Sequence, residues 1–266
     1  MGANELSTVT EQFVLLEKRD GIGFLKLNRP AQFNALSCAM MSAIQTGLET
    51  FAVDETVRVI VIGSAGKAFC AGHDLREMSA RPELLFYQSM FEQCSRLMMT
   101  IQTMPKPVIA KVHGIATAAG CQLVAMCDLA VASSEARFAV SGVNLGLFCS
   151  TPSVALSRNL GRKKAFELLM TGEFIGADEA LREGLINRVA APQDLDQAVV
   201  QLCERIISKP TAAISMGKGL FYKQLEMGVA AAYQLAGQTM ACNMMEPSAQ
   251  EGTLAFIEKR APNWPG

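Results

Sequence analysis

The sequence has no surplus of either charge: 24 Lys+Arg stand against 25 Asp+Glu, a net of −1 over 266 residues. A polyanion such as nucleic acid needs a concentrated basic surface, and no basic run is present to make one. Long apolar runs are also missing. The longest charge-free stretches, 138–157 and 227–245, are broken by Ser, Asn, Thr, Gln and Gly, so no membrane span is expected. The N-terminus carries Glu5 and Glu11 in place of a basic-then-apolar leader, which makes the expected location cytoplasmic. Histidine is scarce, and His73 and His113 have no companions at metal-ligand spacing. The eight cysteines include no CxxC pair, and the chain is too long for a small secreted scaffold; reduced, structural thiols and no metal are expected.

What is present is core-forming. Half the residues are hydrophobic and 18% are charged, a balance that supports one large domain or a core with an appendage. Residues 12–17 and 22–28 read as a hairpin around Gly21. Ser37 can cap a helix over 38–53, where Met40, Met41, Ile44, Leu48 and Phe51 recur at helical spacing. Val57–Ile62 is an apolar strand of the kind buried on both faces. A helix over 83–101, a strand at 108–112, a helix near 119–126 and a strand at 129–132 continue an α/β rhythm with mostly parallel pairing. Beyond about 160 the pattern is helical, with candidates at 162–170, 177–183, 194–208, 211–221, 227–242 and 247–259. Such a tail must bury its apolar faces on the first part or on another subunit, and Met98, Met99, Met240, Met244 and Met245 fit core or subunit contacts.

Two loops after apolar strands are rich in small residues: 69–74, Phe-Cys-Ala-Gly-His-Asp, and 113–122, His-Gly-Ile-Ala-Thr-Ala-Ala-Gly-Cys-Gln. Glycine and alanine there let a ligand approach the backbone, and free amides at a helix start attract negative charge. Two amides converging on one oxygen would form an oxyanion hole; a purely structural strand-to-helix turn uses the same residues. Rival motifs fail. Gly66-Lys67 is followed by Ala68 and preceded by Val61, so a P-loop lacks its hydroxyl and first glycine. Gly21-Ile-Gly23 lacks a third glycine and a helix, and no Gly-x-Ser-x-Gly elbow occurs.

The run Lys67–Met78 resembles the first signature of the crotonase, or enoyl-CoA hydratase/isomerase, superfamily. Asn28-Arg-Pro30 with Asn34-Ala-Leu36, Pro105–Gly114, Ala119-Gly-Cys-Gln-Leu with Cys127-Asp-Leu-Ala, Thr171-Gly172 with Ala177–Val189, and Glu251–Arg260 match in the same order over nearly the whole chain. Val143–Pro152 is similar to one subgroup of that superfamily. The resemblance implies a spiral of ββα units over residues 1–195, a helical oligomerisation region over 196–266, and a homotrimer or dimer of trimers. It implies a coenzyme A thioester as substrate, with no other cofactor, its carbonyl oxygen held by the backbone N–H groups of His73 and Ala119. Phe33, Ala35, Ala71, Asp74, Leu75 and Arg76 match positions lining the CoA moiety, and Phe256 and Lys259 match positions that reach a bound nucleotide. Gln122, Asn144, Cys149 and Ser150 match positions facing the acyl group.

One departure bears on chemistry. Hydration needs proton delivery and water activation, which the hydratases of the superfamily assign to two glutamates. Those positions hold Gln122 and Gly142 here; 112–127 contains no acid, and 138–157 contains neither acid nor base. Glutamine can hold a water but cannot serve as a carboxylate base. An efficient hydratase is therefore not expected. An acyl-CoA enzyme working chiefly through the oxyanion hole, decarboxylation included, is one alternative, although the tyrosine that orients the carboxylate in such decarboxylases falls at Cys149. A non-catalytic acyl-CoA-binding protein and a structural partner of active trimers are the others.

Overall fold

The computed structural model describes residues 12–264, so Glu5 and Glu11 lie outside the described residues. In chain order the elements are β1 (Val14–Arg19), β2 (Ile22–Leu27), α1 (Cys38–Val53), β3 (Val59–Ser64), β4 (Ala68–Cys70), α2 (Leu75–Ala80), α3 (Leu84–Thr103), β5 (Val108–Val112), β6 (Ile115–Thr117), α4 (Ala119–Met126), β7 (Leu129–Ser133) and β8 (Arg137–Ala139). They continue through a 3-10 turn (Ser141–Leu145) to α5 (Ser150–Asn159), α6 (Arg162–Thr171), β9 (Ile175–Gly176), α7 (Ala177–Glu183), β10 (Arg188–Ala190), α8 (Leu195–Ile207), α9 (Thr211–Leu225), α10 (Val229–Met244) and α11 (Pro247–Ile257).

Two sheets run side by side. One has the order β1-β2-β3-β5-β7-β10 and the other β4-β6-β8-β9. Each turn of the chain gives one strand to each sheet, then a helix or a helical turn: β3 with β4, β5 with β6, β7 with β8. Pairing is parallel except for the β1–β2 hairpin and the β8–β9 edge. This is the expected ββα spiral. Parallel strands covered on both faces read as continuous apolar runs, and all six residues of β3 are buried.

The faces of the first sheet are covered by different parts of the chain. On one side Leu25, Leu27, Ile60, Ile62 and Ala110 join Met40, Met41, Ile44 and Leu48 of α1 in the main core. On the other, Ile22, Val59, Val61, Ile109 and Val131 meet Leu195, Val199, Leu202 and Cys203 of α8. Ser37 caps α1, its hydroxyl accepting from Met40 N at 3.1 Å.

A buried polar cluster ties α9 to this body. Lys218 Nζ donates to Asp128 Oδ2 at 2.6 Å and to the carbonyls of Ile101 and Lys106 at 2.7 and 2.9 Å. Asp128 also accepts from Tyr222 Oη at 2.7 Å and from Val108 N at 2.6 Å. Burial raises the Asp128 pKa and lowers that of Lys218, each against the pull of its partner's charge. From the last turns of α9 onward the packing thins: Phe221, Leu225, Val229, Tyr233, Met240, Met245, Leu254 and Phe256 are exposed, while Met98, on α3, is core. No helix among the described residues is long and apolar enough to cross a membrane.

Candidate functional site

The two glycine-bearing loops meet. Gly72 has φ +91, and a Cβ built on it would lie 3.2 Å from Ala119 N and 2.9 Å from Ala118 Cβ. A side chain at Gly120 would run into the Cys70 carbonyl, so the end of β4 seats directly on the start of α4. Ala118 carries φ 50 and ψ −121, a conformation L residues avoid, and is held there with its amide donating to Ala139 O at 3.0 Å. That twist opens α4 with Ala119 at its first position.

His73 forms a parallel bridge with Leu36. Leu36 N donates to Gly72 O at 2.8 Å and Asp74 N to Leu36 O at 3.3 Å. Alternate amides of an extended segment point to opposite sides, so the His73 N–H faces away from Leu36. Among the described residues, neither the His73 nor the Ala119 amide donates to an acceptor of the chain. Two unpaired donors thus stand at one junction.

Beside them opens a cavity of about 270 Å³. Ala71, His73, Ala118 and Ala119 form its backbone rim, and Leu75, Met78, Phe91, Leu145, Leu147 and Phe148 much of its wall. Ser141, Cys149, Ser150, Thr151 and Pro152 complete one side. No Asp, Glu, Lys or Arg lines it among the described residues. The His73 ring packs edge-on to Phe91, with centroids 5.4 Å apart, and Nδ1 lies 3.4 Å from Leu36 O. Burial lowers the His73 pKa, favouring neutral imidazole, and Nε2 is buried without a partner among the described residues. Burial also raises the Cys149 pKa, with the nearby Gly142 backbone opposing it more weakly. The thiol is a poor source of thiolate.

The residues singled out from sequence fall into three groups. Ala71, His73, Leu75, Ala119, Cys149 and Ser150 share the cavity. Phe33, Ala35, Asp74 and Arg76 sit next to it: Phe33 O accepts from Ala71 N at 3.1 Å, Ala35 N donates to Gln32 O, and Asp74 caps α2 while pairing with Arg29 at 3.2 Å. The others are elsewhere. Gln122 is buried within α4 and does not line the cavity; its Oε1 lacks a partner among the described residues. Asn144 turns its amide toward Gly172 instead of the acyl side, because the 3-10 turn carries it to the C-terminus of α6. Phe256, 84% exposed on α11, lies in a surface hollow with Pro210, just before α9, and Trp264, past α11, and Lys259 follows α11 in the left-handed region.

Position 142 is closed to any side chain. A Cβ there would lie 2.5 Å from Leu147 O and 2.7 Å from Cys149 Sγ, and Leu147 N donates to Gly142 O at 3.0 Å. The segment after the 3-10 turn folds back over this glycine. Sequence reasoning missed this strap, as it missed Met78, Phe91 and the Leu145–Phe148 lip. Their only signal was apolar residues placed near the signature loops.

Known proteins share this fold and sequence. Residues 17–266 match the family model for enoyl-CoA hydratase/isomerase. The mitochondrial enoyl-CoA hydratase domain-containing protein 3 of Rattus norvegicus is 45% identical over 247 residues, 93% of this chain and 82% of its own length. The crystal structure of an enoyl-CoA hydratase from Mycobacterium smegmatis superposes with a TM-score of 0.93 at 58% identity, covering 95% of this chain and 98% of that one. Human enoyl-CoA hydratase domain-containing protein 3 gives 0.92 at 43%, covering 95% and 100%. These are members of the subgroup that Val143–Pro152 resembles, apart from the mycobacterial protein, whose name says only enoyl-CoA hydratase. The cytoplasmic expectation is overturned by the same relatives: those of rat, mouse and human are named mitochondrial, so acidic residues near the N-terminus do not establish a cytoplasmic site. With its fold and nearly its whole length in common with them, the chain belongs to the enoyl-CoA hydratase/isomerase family.

Proposed function

We propose that the protein binds acyl-CoA thioesters, gripping the thioester oxygen between the His73 and Ala119 amides and stabilising the enolate without a carboxylate acid or base. The observation that carries this reading is the pair of unpartnered amides brought together by Gly72, whose Cβ position is 3.2 Å from Ala119 N. Each preorganised donor of this kind lowers a barrier by about 2.7–4 kcal/mol, enough to matter for any reaction that passes through an enolate. Ala71, Leu75 and the Phe33–Ala35 turn lie where pantetheine would approach, with Asp74 and Arg76 at the α2 start.

Further support for carboxylate-free chemistry comes from the acid-free lining and from the strap over Gly142. Glutamine at 122 holds no charge, and Leu147 and Cys149 fill the space that an acid at 142 would need. The exposed apolar face of α9–α11 fits burial in a homotrimer or a dimer of trimers, an arrangement in which Phe256 and Lys259 could reach a neighbour's nucleotide. Calorimetric titration with CoA and hexanoyl-CoA, run beside a crotonyl-CoA hydration assay, tests the reading. Tighter binding of the thioester with hydration near background is expected. No binding of either compound would refute it.

A further inference from the structure

Few groups on the cavity wall are able to take a proton. Among the described residues no Asp, Glu, Lys or Arg lines it. Ser141, Ser150 and Thr151 bring hydroxyls, which donate and accept hydrogen bonds but are not bases near neutral pH, and Ser141 Oγ already shares a 2.9 Å bond with Thr117 Oγ1. Burial holds the Cys149 thiol in its protonated form. What remains is the imidazole of His73, a residue whose main chain already supplies one of the two free amides.

The surroundings of that ring fix its proton. Nδ1 lies 3.4 Å from Leu36 O, and a carbonyl can only accept, so the proton sits on Nδ1 and Nε2 keeps its lone pair. The two ring nitrogens flank one carbon and point apart, so the Nε2 edge faces away from Leu36, as the His73 N–H does. Nε2 is buried with no partner among the described residues, an acceptor whose burial is costly until something donates to it. Helix α2 brings Glu77, whose carboxylate accepts from Cys38 N at 2.9 Å, and at its start Asp74, which pairs with Arg29 at 3.2 Å. From α3 comes the uncharged Phe91, and from the start of α5 Cys149. Glu77 favours the charged ring, and burial outweighs it.

We propose that the His73 imidazole is the base of this site, Nε2 taking a proton from the carbon next to the thioester while the His73 and Ala119 amides hold the oxygen. The inference rests on the thioester reading above and supplies the proton acceptor which that reading leaves open. The α-carbon–hydrogen bond breaks and its proton passes to Nε2. Its electron pair becomes the carbon–carbon double bond, and the carbonyl π pair moves onto the oxygen between the two amides. Return of a proton from the imidazolium restores the thioester, so nothing is consumed. The Leu36 contact is long, and a small rotation of the ring brings Nε2 to the cavity without breaking a strong bond.

Wash-in of deuterium at the α-carbon of hexanoyl-CoA in D2O, followed by mass spectrometry with calorimetric titration alongside, tests this. Exchange is expected in the native protein, rising with pH through a single ionisation whose midpoint lies below 6.5 and then staying flat to about pH 8. His73→Gln keeps the backbone amide and removes the base; exchange should fall by about 100-fold or more, with a far smaller change in hexanoyl-CoA affinity. No exchange in a native protein that binds hexanoyl-CoA, exchange that survives His73→Gln, or a rate that climbs in proportion to hydroxide over the whole range overturns the base and leaves the thioester site standing. Failure to bind any CoA compound removes both.

Discussion

Two polar regions, both shielded from water, are built on opposite plans. Around Asp128 every charged atom is engaged: Lys218 Nζ has three acceptors, and the carboxylate receives Lys218, Tyr222 and Val108. At the junction of the 70–74 and 117–120 loops, the His73 and Ala119 amides and His73 Nε2 have no partner among the described residues. A buried polar group without a partner destabilises a fold, whereas a satisfied cluster fastens one element to another. The first region therefore holds α9 in place, and the second offers the donors that the proposed thioester reading uses. Polar residues in the same core can be told apart by whether their bonds close.

That contrast can be broken by substitutions on either side. The largest effect is expected for Lys218→Ala, which leaves Asp128 buried and unpaired; it should cost about 3–5 kcal/mol in a denaturant titration. Acyl-CoA affinity of the folded fraction should not change, and a selective loss of affinity with stability intact would reverse the assignment of the two regions. Gly142→Ala comes next, losing about 1–3 kcal/mol because the added methyl meets Leu147 O and Cys149 Sγ. The Gln122→Glu, Gly142→Glu double variant should show no gain in enoyl-CoA hydration, and a clear gain would mean that the strap yields. Gly72→Ala imposes the left-handed conformation on an L residue, at about 1–2 kcal/mol, and presses on Ala119 N. Its diagnostic readout is affinity: hexanoyl-CoA should lose more than CoA.

The smallest expected effect is on pH dependence. Burial depresses the His73 pKa below 6.5, so the folded protein binds this proton less readily than the unfolded chain. Its contribution to stability is then present above pH 6.5 and is lost as pH falls through the folded value. The slope in that window is at most about 1.4 kcal/mol per pH unit. His73→Gln should flatten the acid side of a stability–pH curve, and an unchanged curve would show the ring to be freely protonated in the folded state.

Much of this was legible in the residues. Ser37 and the Met40–Phe51 spacing located α1, and small residues ending in Ala119-Gly-Cys-Gln located α4 at 119–126. The hairpin and β3 begin about two residues later than their apolar runs do, because register is set by the partner strand and not by hydrophobicity. Strands β4, β6 and β8 have three residues each, too few to show a period. Helix α5 was hidden by Ser-Thr-Pro at its start, a sequence that reads as a loop although proline is tolerated in a first helical turn. The two loops that meet at 70–74 and 117–120 announced themselves through glycine. The strap over Gly142 did not, since a glycine forced by a carbonyl five residues later looks like any other glycine in a flat sequence.

The central claim, that the backbone at 73 and 119 polarises a thioester oxygen, is tested most directly by isotope-edited infrared difference spectroscopy of carbonyl-labelled hexanoyl-CoA. Two donors on one oxygen should shift the bound C=O stretch to lower frequency than in water. A bound thioester whose carbonyl band sits at or above its solution frequency would contradict the account.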